Sequence, residues 1–158
     1  MTLNRSNSCS TQRKMQIAAD TEIEMSRILL AEDDFEMRSL LAESLRGIGY
    51  DVVECPDGRS LVKNIDLYWT PFSPKKYIDL VISDIRMPGA TGLEILAALQ
   101  QFEDCPPIIL ITGFGNRETH ELADQYGAAA MFDKPFDVND LLAEVRDILS
   151  HKPDQISR

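Results

Sequence analysis

Short uninterrupted apolar runs alternate along this chain with stretches in which apolar residues recur every three or four positions. The first pattern predicts strands buried on both faces, the second amphipathic helices. Ile28-Leu29-Leu30-Ala31 is the first run. Phe35, Met37, Leu40, Leu41 and Leu45 follow at helical spacing, and Gly47 and Gly49 close that helix. Tyr50 to Cys55 predicts a second strand, and Asp57 or Gly58 opens a second helix near Ser60 to Leu67. A third strand is expected from Ile78 to Ser83. The third helix is expected from Gly92 to Phe102, with Leu93, Ile95, Leu96 and Leu99 on its apolar side. Pro106-Pro107 breaks the chain before a fourth strand, Ile108 to Ile111. A helix near Arg117 to Tyr126, a strand from Ala128 to Phe132 and a helix from Leu141 to Leu149, capped by Asp137 or Asn139, complete the pattern.

Five strand–helix pairs in strict alternation imply parallel strands joined by right-handed crossovers. A parallel sheet needs cover on both faces, so a three-layer α/β/α domain is expected over residues 26–150. Residues 1–25 and 151–158 are polar and read as tails. Met25, just before the first strand, is a candidate translation start. The connection from Leu67 to Tyr77 holds the only Trp, Trp69, with Pro71 and Pro74. It exceeds the roughly 2–6 residues usual in α/β units. Two readings stand for it: a loop packed on the rim of the core, or a partner-docking surface.

The formal net charge of −10 argues against a direct nucleic-acid binder, which would present basic patches. No apolar run reaches the ~18–20 residues that span a bilayer. Cys9, Cys55 and Cys105 have no metal-type spacing and read as reduced thiols of a cytoplasmic protein.

The chemistry lies at the strand ends. The first strand runs into Glu32-Asp33-Asp34, the third into Asp84, the fourth into Thr112 and the fifth into Lys134-Pro135. In a parallel sheet these ends share one edge, where open α/β folds bind ligands. Crowded carboxylates repel unless a cation joins them. Mg2+ suits such a site, because it takes one or two carboxylates, keeps several waters and accepts a phosphate oxygen. Lys134 and Thr112 would add a charge and a donor for an anion beside it. Asp84 can accept a phosphoryl group, since Asp carboxylates form acyl phosphates.

Arg27 to Asp34, Ser83-Asp84-Ile85-Arg86-Met87-Pro88-Gly89, Ile111-Thr112-Gly113 and Asp133-Lys134-Pro135-Phe136 resemble the receiver domain of bacterial two-component response regulators. The resemblance covers Arg27 to about Ser150. It implies a flavodoxin-like (βα)5 fold with strand order 2-1-3-4-5. It implies phosphorylation of Asp84 by a partner histidine, from a histidine kinase or a histidine phosphotransfer protein. Glu32, Asp33, Asp84 and the main-chain carbonyl of Arg86 are the implied Mg2+ ligands. Glu32 and Asp33 are chosen over Asp34 because Arg38 then stands at the family's usual distance after Asp33. Thr112 is the implied switch hydroxyl and Lys134 the implied phosphate partner. The Lys134–Pro135 bond is expected to be cis. The helix four, strand five and helix five face is the expected output surface and a possible homodimer interface. Such a protein is not an enzyme beyond assisting its own phosphorylation and dephosphorylation.

The chain departs from the family at one position. The switch aromatic stands three residues before the lysine, and here that residue is Met131. Phe132 is one later, and strand alternation points it to the opposite face. Arg86 and Phe114 flank the acceptor and the switch Thr, where receivers tune access of water to the acyl phosphate. The expected function is a stand-alone phosphorelay receiver that switches a downstream partner. The alternatives are a phosphorylation-independent docking adaptor, an aspartyl-phosphate hydrolase, disfavoured by Arg86 in place of a second acid, and a receiver fragment of a longer transcription regulator.

Overall fold

Every residue of Leu80–Asp84 and of Ile108–Thr112 is buried, so these two strands form the centre of the sheet. The computed structural model describes residues 25–69 and 77–151. Cys9, both tail readings beyond Met25 and His151, and the middle of the aromatic loop lie outside the described residues. The elements are β1 (Arg27–Ala31), α1 (Phe35–Gly47), β2 (Asp51–Cys55), α2 (Gly58–Tyr68), β3 (Leu80–Asp84), α3 (Gly92–Leu99), β4 (Ile108–Thr112), α4 (Arg117–Gln125), β5 (Ala130–Asp133) and α5 (Val138–Ser150). The strands lie in the order β2-β1-β3-β4-β5, and every pair is parallel. This is the expected flavodoxin-like sheet.

Alternate residues along each strand feed two cores. Leu29, Ala31, Val81, Ile108 and Leu110 meet Leu61 and Ile65 of α2, Ile95, Leu96 and Leu99 of α3, and Ala123 of α4. Ile28, Leu30, Leu80, Ile82, Ile109 and Ile111 meet Leu41, Ala42 and Leu45 of α1, and Leu141 and Val145 of α5. Burying one such aliphatic side chain is worth about 1.5–3 kcal/mol. Cys55 is one of these core residues; burial pushes its thiol up to about 11, so it packs rather than reacts.

The helices start where side chains can satisfy their free N–H groups. Asp34 caps α1, accepting from the Met37 N–H. Asp57, the first of the two candidates, caps α2 in a reciprocal box with Ser60, and Thr91 does the same for α3 with Glu94. Asn116 caps α4, and Asp137 rather than Asn139 caps α5.

Several expected boundaries shift. β5 begins at Ala130 instead of Ala128, because the Gly127 and Ala128 N–H groups are used in ending α4, on Asp124 and Ala123 carbonyls. β3 runs one residue further than expected and takes in Asp84. α3 stops at Leu99, short of Phe102, whose ring instead meets Trp69 edge-on at 5.0 Å. α2 starts at Gly58, two residues before Ser60, and α5 at Val138, three before Leu141, each directly after the Asp that caps it. Phe35 and Leu40 belong to α1 but not to its inward stripe, which Leu41, Ala42 and Leu45 occupy; both are exposed. Trp69 also packs against the α2–α3 side of the core, in keeping with a rim loop. Among the described residues no helix is long and apolar enough to cross a membrane.

Candidate phosphoacceptor site

Glu32 is the first residue beyond β1, and its N–H still bonds to Cys55 O of β2. Its carbonyl accepts from the Arg38 guanidinium at 2.8 Å, which pins the acidic loop to α1. The side chain turns inward and is buried. One carboxylate oxygen accepts from the Asp34 N–H at 3.0 Å and the other from Lys134 Nζ at 2.8 Å. Burial raises the Glu32 pKa, and the bonds from Lys134 and Asp34 only partly oppose it.

Lys134 leaves the end of β5 and reaches both acids. Its Nζ is 2.8 Å from Glu32 Oε2 and 2.8 Å from Asp84 Oδ2. Burial alone would lower its pKa, but the bonds to Asp84 and Glu32 outweigh burial and raise it. The amine is therefore an ammonium at neutral pH. Asp84 is 5% exposed, and its Oδ1 accepts from the Arg86 N–H at 2.9 Å. The carboxylate is thus oriented from both sides at the mouth of the sheet.

Ligand atoms of Glu32, Asp33 and Asp84 lie within 4.8 Å of one another, and Asp33 is exposed. Three carboxylates against one ammonium leave two negative charges over. That excess, made of oxygen donors and open to water through Asp33, fits a hard divalent cation. Asp34 is occupied as the α1 cap. Thr112 is buried, and its hydroxyl oxygen accepts from the Phe114 N–H at 3.2 Å. Arg86 lies with its guanidinium carbon 4.7 Å over the Phe114 ring, joining the loops after β3 and β4 beside the site. The Lys134–Pro135 peptide is cis. Met131 packs on the α2–α3–α4 side of the sheet, whereas Phe132 packs on the opposite side, 5.5 Å from the Phe136 ring.

Sequence reasoning missed what holds the loop after Asp84. The Gly58 N–H donates to Pro88 O at 3.0 Å. A Cβ on Gly58 would overlap the Ala90 carbonyl and lie 2.7 Å from Ala90 N, so the start of α2 is docked on this loop backbone to backbone. The Asp57-Gly58 pair is legible as a helix start, but not as a clamp on a loop thirty residues on. Gly58→Ala forces the two apart. The expected result is a loss of about 1–3 kcal/mol, the usual overpacking range, together with weaker Mg2+ binding. Urea unfolding and Mg2+ titration check it; wild-type values in both would show that the loop is not held there.

The geometry can be set beside known proteins. The family described as response regulator receiver domain matches residues 28–146. "Transcriptional regulatory protein CpxR" of Escherichia coli (strain K12) is 35% identical over 133 residues, which are 83% of this chain and 53% of that protein. "Response regulator receiver protein CpdR" of Brucella abortus (strain 2308) is 34% identical over 125 residues, 79% of this chain and 98% of that protein. The high-resolution structure of the chemotaxis response regulator CheY4 of Vibrio cholerae superposes with a TM-score of 0.64 at 28% identity, covering 79% of this chain and 99% of that one. The chain spans about half the length of the first relatives it matches, and nearly the whole of CpdR. A family match across almost all of the folded residues, on a sheet whose strand ends gather Glu32, Asp33, Asp84, Thr112 and Lys134, means that this chain belongs to the response regulator receiver domains.

Proposed function

We propose that the chain accepts a phosphoryl group on Asp84 from a phosphohistidine of a histidine kinase or phosphotransfer protein, and that this switches binding of a downstream protein. The observation that carries the reading is the Asp84 carboxylate, buried, oriented by the Arg86 N–H and Lys134, and grouped with two further acids. An Asp84 oxygen attacks phosphorus in line; the new O–P bond forms as the P–N bond to the donor imidazole breaks, and the imidazole leaves with a proton. Lys134 holds a phosphoryl oxygen, and Thr112 turns its hydroxyl toward another. Glu32, Asp33, Asp84 and the Arg86 carbonyl would hold Mg2+, which when bound offsets charge on the phosphoryl oxygens. The protein acts on no substrate other than its own carboxylate.

In this reading the protein works in the cytoplasm and touches neither membrane nor nucleic acid itself. The α4–β5–α5 face carries output or pairs two copies. Acetyl phosphate with Mg2+ tests the reading: the expected result is a mass gain of one phosphoryl group, mapped to Asp84. No gain favours a docking adaptor that works without phosphorylation. Phosphotransfer from each histidine kinase of the source organism then finds the donor.

We infer that the Arg86–Phe114 stack, which joins the loops after β3 and β4, hinders the approach of water to a phosphorylated Asp84. An exposed cation–π contact is worth about 0.5–1 kcal/mol. Phe114→Ala should therefore speed loss of the phosphoryl group about two- to fivefold. Decay of the labelled protein in buffer checks this, and an unchanged rate would assign Phe114 no part in it.

A further inference from the structure

A receiver with Met131 at the aromatic position has no ring to turn inward on that face of β5. The same face carries a different device two residues on. Asp133 ends β5, stands in register with Thr112 of β4, and precedes Lys134, whose N–H donates to Thr112 O at 2.7 Å. Across from it, His120 of α4 places Nε2 at 3.1 Å from Asp133 Oδ1 and 3.0 Å from Oδ2. A carboxylate offers only acceptors, so Nε2 carries the hydrogen. This hydrogen-bonded pair ties α4 to the end of β5.

The loop between Thr112 and α4 runs against the pair. A Cβ on Gly115 would overlap the Asp133 carboxylate, lie 2.9 Å from Thr112 Cγ2, and lie 3.0 Å from His120 Nε2. One stretch of main chain therefore touches the switch threonine and both members of the pair. The loop is also fastened to the Thr112 hydroxyl, which accepts the Phe114 N–H at 3.2 Å. Thr112 cannot turn its hydroxyl toward a group on Asp84 without disturbing that bond and the loop behind it.

We propose that His120 and Asp133 form the readout contact of this chain: closed while Thr112 holds the loop, and released when Thr112 turns to a phosphoryl group on Asp84. The proposal rests on the phosphoacceptor reading above. Both side chains are about half exposed, so the contact adds little to stability and opens at small cost. A tight buried pair would resist the switch. Release frees α4 to shift against β5 and presents an unpaired carboxylate and imidazole on the output face. His120 and Asp133 are positioning residues here, since neither touches the Asp84 carboxylate through any bond in the structure.

The test uses the full chain labelled with 15N in its histidine rings, with and without beryllofluoride and Mg2+ as a lasting phosphoryl mimic. His151, the second histidine, is replaced by Gln to leave one ring signal. In the unloaded protein the His120 ring should show the Nε2–H form held by Asp133. On loading it should relax toward the tautomer mixture of a free imidazole, and amides of residues 117–121 and 130–134 should shift. His120→Ala should already show those amide shifts unloaded, and His120→Gln, whose amide can still donate to Asp133, should not. Acetyl phosphate should label Asp84 equally in all three proteins. A His120 ring unchanged on loading, or an unloaded His120→Ala protein with wild-type amides, overturns the readout while equal labelling leaves the phosphoacceptor intact. Absence of label in the wild type overturns the phosphoacceptor reading, and the readout falls with it.

Discussion

Asp84→Asn will abolish labelling by acetyl phosphate and by any phosphohistidine donor, while the fold survives. The substitution is nearly isosteric and keeps an oxygen for the Arg86 N–H, which donates to Asp84 Oδ1 at 2.9 Å. What it removes is the anionic oxygen that would attack phosphorus. Asn has a neutral amide nitrogen in its place, a far poorer nucleophile. Its other effect is electrostatic. Lys134 would then face one carboxylate, Glu32, instead of two. That relieves repulsion between Asp84 and Glu32, which contributes to the raised pKa of Glu32. Against that gain stands the lost bond from Lys134, because the Asn NH2 would face the ammonium with a second donor; the two effects oppose, and the variant should remain folded, as urea unfolding checks. Loss of label with the fold retained places the acceptor at Asp84. Undiminished label would mean that another acid accepts, and Asp33, exposed beside it, would be next to replace.

The residues that position this site were legible for one reason: each is the side chain at, or one or two past, the end of an apolar run. Leu80 to Ile82 and Ile108 to Ile111 read as buried strands, and parallel pairing brings their ends to one edge of the sheet. The order itself came from resemblance rather than from periodicity. Helix faces were less legible. Phe35 and Leu40 fit a helical spacing as well as Leu41 and Leu45 do, and only the packing of α1 against the sheet separates buried from exposed. The end of α4 misled for a related cause, because Ala128 is apolar yet its N–H belongs to the helix terminus.

Close backbone approaches were not legible at all. Gly58 meets Ala90, and Gly115 meets Asp133, across gaps in sequence that no local pattern spans. Glycine at a helix start or in a loop is ordinary, and its meaning here comes only from what stands opposite. The same holds for His120 and Asp133, each an unremarkable polar residue until α4 and β5 are placed side by side. Sequence reading therefore found the side chains that gather at the sheet edge and missed the contacts that hold the loops around them.

Lys134→Met will destabilise the protein at neutral pH, and the loss will shrink as pH falls. Methionine keeps the length and the apolar stem but removes the charge that Glu32 and Asp84 share. Glu32 is buried, so its ionised carboxylate would be left with the Asp34 N–H as its one remaining bond. Breaking a buried pair costs roughly 3–5 kcal/mol, and the low end applies because Lys134 is 23% exposed. Burial already raises the folded pKa of Glu32 above the ordinary 4.5, and removing Lys134 takes away the strongest influence that lowers it. The folded variant therefore binds a proton more tightly than the unfolded chain does. Its stability deficit is present at neutral pH, where an ionised Glu32 is unfavourable, and is recovered as pH falls through the raised folded value. In the wild type the same contact behaves as a lysine effect. Lys134 is raised above 10.5, so the stabilisation is in place at neutral pH and goes only as pH climbs through that raised value. Urea unfolding of both proteins at pH 7.5 and pH ~5 reads the difference, and saturating Mg2+ at pH 7.5 should restore part of it by standing in for the missing charge. Equal stability at pH 7.5, or a deficit that does not narrow in acid, would mean that Glu32 does not depend on Lys134. Loss of labelling in the same variant would then have to be explained at the phosphoryl group itself, where Lys134 is the ammonium nearest to the Asp84 oxygen that Arg86 leaves free.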